Sequence, residues 1–499
     1  MGKASEIRPN VILIILDSAR KDMFGCYGNP EGLTPKIDAL AKKSLILRDH
    51  YATACGSASA HTSIFTGHHP SRHKMLHNLC EMKEDLKAIP FLLRQFGYEC
   101  YGHCKASFIP PAGYEDLFGF DEMTYPGAEK NFNRRSFRGW MADHLRRFPV
   151  LYHSLKKMYE KFCGNEKVIR TSAAIHDGQD SLNYLFRRLM EGTQDNIPIF
   201  AYTTILHPHF PYFPPKVFRN KMFKGSSPHP VSFDIQRDLH GYMNGNFGPA
   251  EEAIESVKKL YQADLMYADH LLGGFIEKLE KKDILKNSIL IVTSDHGELL
   301  GEHGAINHGA TVWEELLATP CIVHFPGKFD SGISISRLTS SLDLLPTIFD
   351  LLGESEWLEG KTIFDGVSVL LPEDTSDDRV LVVDSPPAVL PERLKAFPNL
   401  LFELSVIRRV ARTSKFKYIW QSDGRHHLYR TGSPEESKNN LHDFFPDVVA
   451  ELHKKMIGFY ESVEIDFQID RYPVPLSRTV GTKMTDPAIR NELRRLGYL

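Results

Sequence analysis

Apolar residues along this chain gather in short, uninterrupted runs, and amphipathic stretches of helix length lie between them. The first run is Asn10–Leu16, Asn-Val-Ile-Leu-Ile-Ile-Leu. A run of this length, rich in β-branched residues, predicts a strand buried on both faces, as in a helix-covered parallel sheet. Gly97–Cys104, Ile199–Leu206, Ser288–Thr293 and Cys321–Phe325 read the same way. Thr34-Pro35 opens a helix through Leu40 and Ala41, with proline in the first turn. Glu251–Leu279 places Leu260, Leu265, Leu271 and Leu272 at helical period, and Leu342–Leu352 is an amphipathic helix closed by Gly353. This alternation predicts an α/β fold, with a largely parallel central sheet flanked by helices.

After Pro372 the pattern changes. Val380–Val383, Val406–Arg412 and Lys417–Trp420 read as short strands, and Val448–Tyr460 reads as a helix. The expected division is therefore an α/β domain over residues 1–372 and a smaller C-terminal α+β module over 373–499.

Charge removes some partners from consideration. The 499 residues hold 60 Lys+Arg and 63 Asp+Glu, a net charge of −3. A chain so balanced has no polycationic face, so nucleic acid is not an expected partner. The arginine-rich stretch Lys130–Lys161 reads first as a solvated helical face. No apolar run reaches the ~18 residues of a membrane span. Residues 1–10 are polar, without the apolar core of a signal peptide. The seven cysteines form no Cys-x-x-Cys pair, which favours reduced thiols. Together these lead to the expectation of a cytoplasmic protein with no transmembrane segment.

The candidate chemistry sits at strand ends. Asp17 closes the first buried run, and Asp295-His296 follows the run Ser288–Thr293. Open α/β sheets place their ligands at that end of their strands. Asp is also a favoured helix N-cap, and position alone does not separate the two roles. Two carboxylates and an imidazole form a divalent-metal ligand set. The nitrogen donor favours manganese, zinc or iron over calcium or magnesium. Ser57 lies in Gly56-Ser-Ala-Ser-Ala-His-Thr-Ser-Ile-Phe-Thr-Gly67, where small residues lead into a helix. A helix N-terminus presents free N–H groups, and a hydroxyl there can meet a metal and lose its proton. A helix-capping turn accounts for the same residues.

Longer motifs add to this. They are Arg8-Pro-Asn-Val-Ile-Leu-Ile-Ile-Leu-Asp17, Thr34-Pro-Lys-Ile-Asp-Ala-Leu-Ala41, the stretch Ser57–Arg72 ending Phe-Thr-Gly-His-His-Pro-Ser-Arg, and Pro208-His-Phe-Pro-Tyr212. Thr293-Ser-Asp-His-Gly-Glu-Leu-Leu-Gly-Glu-His-Gly304, Glu314–Pro320, Asp343–Thr347, Leu428-Tyr429 and Pro434–Leu441 follow in order. In order and spacing the chain resembles the sulfatase branch of the alkaline phosphatase superfamily. The resemblance implies an alkaline-phosphatase-like fold and an enzyme that hydrolyses sulfuric or phosphorus esters. It also implies one divalent metal held by Asp17, Ser57, Asp295 and His296, with manganese or zinc favoured and calcium or magnesium allowed. Ser57 would be the nucleophile. His308 or His209 would protonate the leaving group or hold the equatorial oxygens, and His61 would orient Ser57 or the anion. Lys105 and His207 are carried over by approximate position as substrate-binding residues. Asp264, Asp269 and His270 do not complete a second metal shell.

The departures from the family pattern matter most. The family nucleophile is a Cys or Ser oxidised to formylglycine within C/S-x-P/A-x-R. Here the nucleophile position is Ser57 rather than Cys55, the Pro position is Ser59, and the Arg position is His61. Ser18 replaces the Asp that often follows the first metal ligand, and His308 stands where most sulfatases carry Lys. A His-Gly there resembles phosphoethanolamine transferases and phosphodiesterase-like members, which use an unmodified hydroxyl. The expectation is a metal-dependent hydrolase of phosphodiesters or phosphonate monoesters, acting on a small anionic ester. The alternatives are a sulfatase with oxidised Ser57, a phosphoryl-group transferase and a non-catalytic scaffold. A homo-oligomer stays open, and the organic part of the substrate is not legible.

Overall fold

The computed structural model describes residues 8–76, 82–83, 86–104, 118–124, 178–247, 250–309, 311–356, 364–371, 379–385, 405–432 and 439–463. Lys105, the stretch Lys130–Lys161 and the module boundary expected at Pro372 lie outside them.

Fourteen strands are present among the described residues. In chain order they are β1 (Asn10–Leu16), β2 (Leu45–Tyr51), β3 (Glu99–His103), β4 (Glu122–Thr124), β5 (Ile199–Ile205), β6 (Ser288–Thr293) and β7 (Leu299–Leu300). Next come β8 (Ile306–Asn307), β9 (Cys321–His324), β10 (Ile333–Ser340), β11 (Leu381–Ser385), β12 (Arg408–Arg412), β13 (Phe416–Gln421) and β14 (His427–Arg430). Eight of them form the central sheet, in the order β10-β2-β9-β6-β1-β5-β3-β4. All run parallel except β9, which is antiparallel to β2 and β6.

The innermost strand shows why the runs read as they do. Ile12, Ile14 and Leu16 of β1 enter one apolar layer, shared with the helices Gln179–Asp195 and Glu251–Lys281. Val11, Leu13 and Ile15 enter the other, shared with the helices Ser57–Thr66 and Leu344–Leu351. Both faces of the strand are dry, so no polar residue alternates with the apolar ones. The expected α/β architecture is present, with helices on both sides of the sheet.

Strands β11 to β14 form a separate antiparallel sheet, covered by the helix Pro446–Ser462. This is the α+β module anticipated near the C-terminus. It meets the main sheet through the bridge Ala54–Asp384 and through Arg412, which lies over the Tyr51 ring and 2.7 Å from Glu314.

Three central-sheet strands escape pattern reading, the short edge strand β4 (Glu122–Thr124) among them. In β2, Arg48 and Asp49 interrupt the apolar run. In β10 the first half is open to solvent because the strand lies at the sheet edge.

Candidate active site

The site forms where β1 and β6, paired side by side, both end. The chain leaves β1 through Asp17 and turns at Ser18, which adopts a left-handed backbone (φ 63°). That turn aims the Ser18 amide at Asp295 Oδ1, 3.1 Å away. Ser294 ties the two strand ends together: its hydroxyl lies 2.6 Å from the carbonyls of both Leu16 and His296 and accepts from the Ala19 amide. Gly297 is needed next to them. A Cβ there would come 1.9 Å from the Glu315 carbonyl oxygen.

Ligand atoms of Asp17, Asp295 and His296 all lie within 4.8 Å of one another, and all three residues are buried. Asp17 Oδ2 and Asp295 Oδ2 make no hydrogen bond. Burial and the neighbouring Asp295 charge push the Asp17 carboxyl well above the usual carboxylate range. Burial opposes the charge of Asp295 too, but His296 and His61 outweigh it and hold Asp295 low. Two adjacent buried carboxylates with an unbonded oxygen each call for a cation. His296 Nδ1–H donates to the Gly297 carbonyl at 2.8 Å, which leaves the Nε2 lone pair facing the cluster. The donor set therefore fits one divalent ion of the mixed N/O class. Among the described residues no other His/Cys/Asp/Glu cluster of this kind is found.

Ser57 opens the helix Ser57–Thr66, and its Oγ lies 3.0 Å from His296 Nε2. The structure thus brings together the four residues carried over as a metal set. Cys55, two residues earlier, points elsewhere: its Sγ contacts Ser385 Oγ in the C-terminal sheet, and burial raises its thiol pKa.

His61 is fully enclosed. Its Nδ1–H donates to the Ser57 carbonyl at 2.7 Å, and Nδ1 also lies 3.4 Å from Asp295 Oδ2. Its Nε2 accepts from Thr204 Oγ1 at 3.0 Å. Burial lowers the pKa of the ring, against the neighbouring Asp295 charge. His61 therefore holds the Ser57 main chain against β5.

His308 and His209 stand next to the cluster. The His308 ring centroid is 4.1 Å from that of His296 and 5.2 Å from that of His209. Burial, with His209 adding to it, lowers the His308 pKa to about 3, and burial lowers that of His209. His207 lies 3.0 Å from Asp264 without hydrogen-bond geometry. Asp269 is occupied structurally, accepting the Lys36 and Ile37 amides. Lys105 lies outside the described residues.

Two residues of the site were not singled out from the sequence. Glu298 is fully buried and its Oε1 lies 3.0 Å from His308 Nδ1. Burial raises its carboxyl to about 7. Its only sequence signal is its place directly after His-Gly in the second metal motif. Thr204 lies inside the apolar run of β5 and gave no signal at all.

The family model described as Sulfatase matches residues 9–354. The chain belongs to the sulfatase family. The match spans both strand ends, the helix Ser57–Thr66 and the His308 region. Among curated relatives of this sulfatase-family chain, the choline-sulfatase of Rhizobium meliloti (strain 1021) is 25% identical over 398 residues, covering 73% of this chain and 71% of that protein. The ulvan-active sulfatase of Formosa agariphila is 23% identical over 449 residues, covering 87% of this chain and 77% of that protein. Among solved structures, the phosphonate monoester hydrolase of Agrobacterium radiobacter superposes with a TM-score of 0.65 at 18% identity, covering 91% and 96% of the two chains. The phosphonate monoester hydrolase SpPMH from Silicibacter pomeroyi gives 0.66 at 20% identity, covering 93% and 97%. These structures establish the fold, and the family establishes an ester-bond hydrolase. No helix among the described residues is long and apolar enough to cross a membrane.

Proposed function

We propose that this sulfatase-family protein is a metal-dependent hydrolase of phosphodiesters or phosphonate monoesters, with unmodified Ser57 as its nucleophile. The observation that carries this reading is Ser57 Oγ at 3.0 Å from His296 Nε2, in a helix start whose modification signal is largely missing. The Pro position is Ser59 and the Arg position is His61, both buried, and His61 is engaged with Ser57, Thr204 and Asp295. A divalent ion held by Asp17, Asp295, His296 and the Ser57 oxygen would supply Lewis acidity and charge neutralisation.

The chemistry of the nucleophile then selects the substrate. A formylglycine hydrate expels sulfate by elimination. A plain serine sulfate has no such route and resists hydrolysis. A serine phosphoryl or phosphonyl ester is resolved by attack of water at phosphorus. In the first step the Ser57 O–P bond forms and the P–O bond to the alcohol breaks. The proton lost by Ser57 passes through His308 or His209 to the departing oxygen, so the step needs no net proton. In the second step water replaces Ser57.

The test compares an aryl sulfate, an aryl phosphate monoester, an aryl phosphonate and a bis-aryl phosphodiester, with manganese or zinc added. Wild type and Ser57→Ala are assayed together, and the mass of the Ser57 peptide is measured. Ser57-dependent turnover of the diester or phosphonate, with an unaltered peptide mass, is expected. Dominant sulfate turnover with loss of two hydrogens at Ser57 overturns the reading. The sulfatase names of the curated relatives make the sulfate arm essential.

A further inference from the structure

We infer that Thr204 is a positioning residue, which holds the His61 ring against both the nucleophile and the metal cluster. The inference rests on the reading above for the roles of Ser57 and Asp295, and on strand register and hydrogen bonds for its geometry. β5 runs parallel to β1, and the register sets Thr204 beside Ile15, two residues before Asp17. The Asp17 amide donates to the Ile205 carbonyl at 2.9 Å. Thr204 is therefore fixed at the level of the cluster.

Tyr202 and Thr204 lie two residues apart on β5, so their side chains leave the same face of the strand. Both are buried. His61 and Phe65 lie four residues apart and share a face of the helix Ser57–Thr66. The two faces meet at two points. The Tyr202 ring packs edge-to-face on Phe65, with centroids 4.7 Å apart, and Thr204 Oγ1 lies 3.0 Å from His61 Nε2. The Tyr202 hydroxyl lies 2.7 Å from Thr204 Oγ1. The helix that carries Ser57 is docked on β5 through this pair of contacts.

The chemical consequence follows from the imidazole ring. Nδ1 of His61 lies 2.7 Å from the Ser57 carbonyl oxygen and 3.4 Å from Asp295 Oδ2. A carbonyl can only accept, so Nδ1 carries a hydrogen. In a neutral imidazole, the partner of one nitrogen decides which nitrogen is protonated. The Thr204 hydroxyl donates to Nε2, and its oxygen still accepts the Tyr202 O–H. Without that hydroxyl the hydrogen can settle on Nε2. A bare Nδ1 lone pair would then face two oxygens, and repulsion would shift Ser57 from its place 3.0 Å from His296 Nε2. Thr204 thus acts through His61, at the helix position where the family pattern has Arg.

The experiment uses Thr204→Val, which removes the hydroxyl and keeps the branched shape, and Thr204→Ser, which keeps the hydroxyl. His61→Ala and the double variant Thr204→Val/His61→Ala complete a cycle. Each is assayed with saturating manganese or zinc, on whichever of the four esters wild type turns over fastest. Ser63→Ala is the control, because Ser63 makes the same kind of contact from the same helix, its Oγ 3.0 Å from His73 Nε2. Thr204→Val is expected to lower kcat about 10- to 100-fold, the usual range for an outer hydrogen-bond partner, with KM little changed. Thr204→Ser should keep most of the wild-type turnover. The double variant should be no slower than His61→Ala. Ser63→Ala should lower the melting temperature and leave kcat unchanged. Wild-type kcat in Thr204→Val, an equal loss in Thr204→Ser or Ser63→Ala, or multiplicative losses in the double variant overturn the inference. If Thr204→Val does not fold, Thr204→Ala against Thr204→Ser carries the same comparison. Failure of the phosphorus-ester reading shows separately, as dominant sulfate turnover by wild type or full activity in Ser57→Ala. Coupling between Thr204 and His61 is still judged by its own cycle on the preferred ester.

Discussion

Asp17 and Asp295 lie side by side without solvent, and each leaves one oxygen unbonded. Burial and mutual repulsion make the pair costly until a cation joins it. Asp17→Asn should therefore abolish the rise in melting temperature that manganese or zinc gives the wild type, measured by calorimetry with and without metal. Asp295→Asn removes a ligand outright. It should weaken metal binding at least about 100-fold, beyond the range for outer-shell partners, read by titrating the metal-free protein. Ser57→Ala leaves all three of those side chains in place. It should bind metal and melt like wild type while losing about 10³-fold or more in turnover, as nucleophile deletions do. Retained turnover would show that another group attacks the substrate.

At the scale of elements, short connections do the positioning. The β6 exit packs so closely on the segment at Glu315 that a single methyl at Gly297 meets a carbonyl oxygen. Gly297→Ala should cost about 1–3 kcal/mol, the range for overpacking. Urea unfolding measures this, and activity should fall with it because His296 is the adjacent residue. The helix Pro35–Ala41 is capped at a distance by Asp269 of the long helix, through the amides of Lys36 and Ile37. Burial raises that carboxyl to about 6. A group raised in the folded state favours folding while protonated, so its contribution falls as pH rises from about 4 to 6. Asp269→Ala should lose about 1 kcal/mol, as for other caps. Asp269→Asn keeps an acceptor without the buried charge, so its stability should vary less across that pH window. An unchanged pH profile in the Asn variant would show that the carboxyl does not titrate there.

At the scale of the molecule, the C-terminal sheet packs Leu381, Val383, Val410 and Ile419 against Tyr51, Leu316, Leu317 and Leu338 of the α/β body, and a few charged contacts add to that apolar layer. Arg412 lies over the Tyr51 ring, 3.7 Å from its centroid, and pairs with Glu314. Burial opposes the Glu314 charge, but Arg412 and then Lys417 overcome it and bring the carboxyl to about 2. Arg412→Ala should destabilise the protein by about 2 kcal/mol, between the limits for exposed and buried pairs. It should also make the C-terminal module more open to limited proteolysis. No change in the cleavage pattern would mean that the apolar contacts of the module suffice.

The sequence by itself determined the parallel sheet and the helices beside it, because a strand buried on both faces leaves an unbroken apolar run. It also placed Asp17, Ser57, Asp295 and His296, since three of them end a buried strand or open a helix and all four stand in ordered motifs. It did not mark β2, β4 or β10, where burial is partial and no unbroken apolar run forms. Motif spacing had already set Cys55 aside in favour of Ser57, and only the tertiary structure showed where Cys55 goes, against Ser385 of the C-terminal sheet. That structure alone joined Glu298 to His308 and Thr204 to His61. A hairpin register and a strand neighbour set those contacts, and no spacing along the chain encodes either.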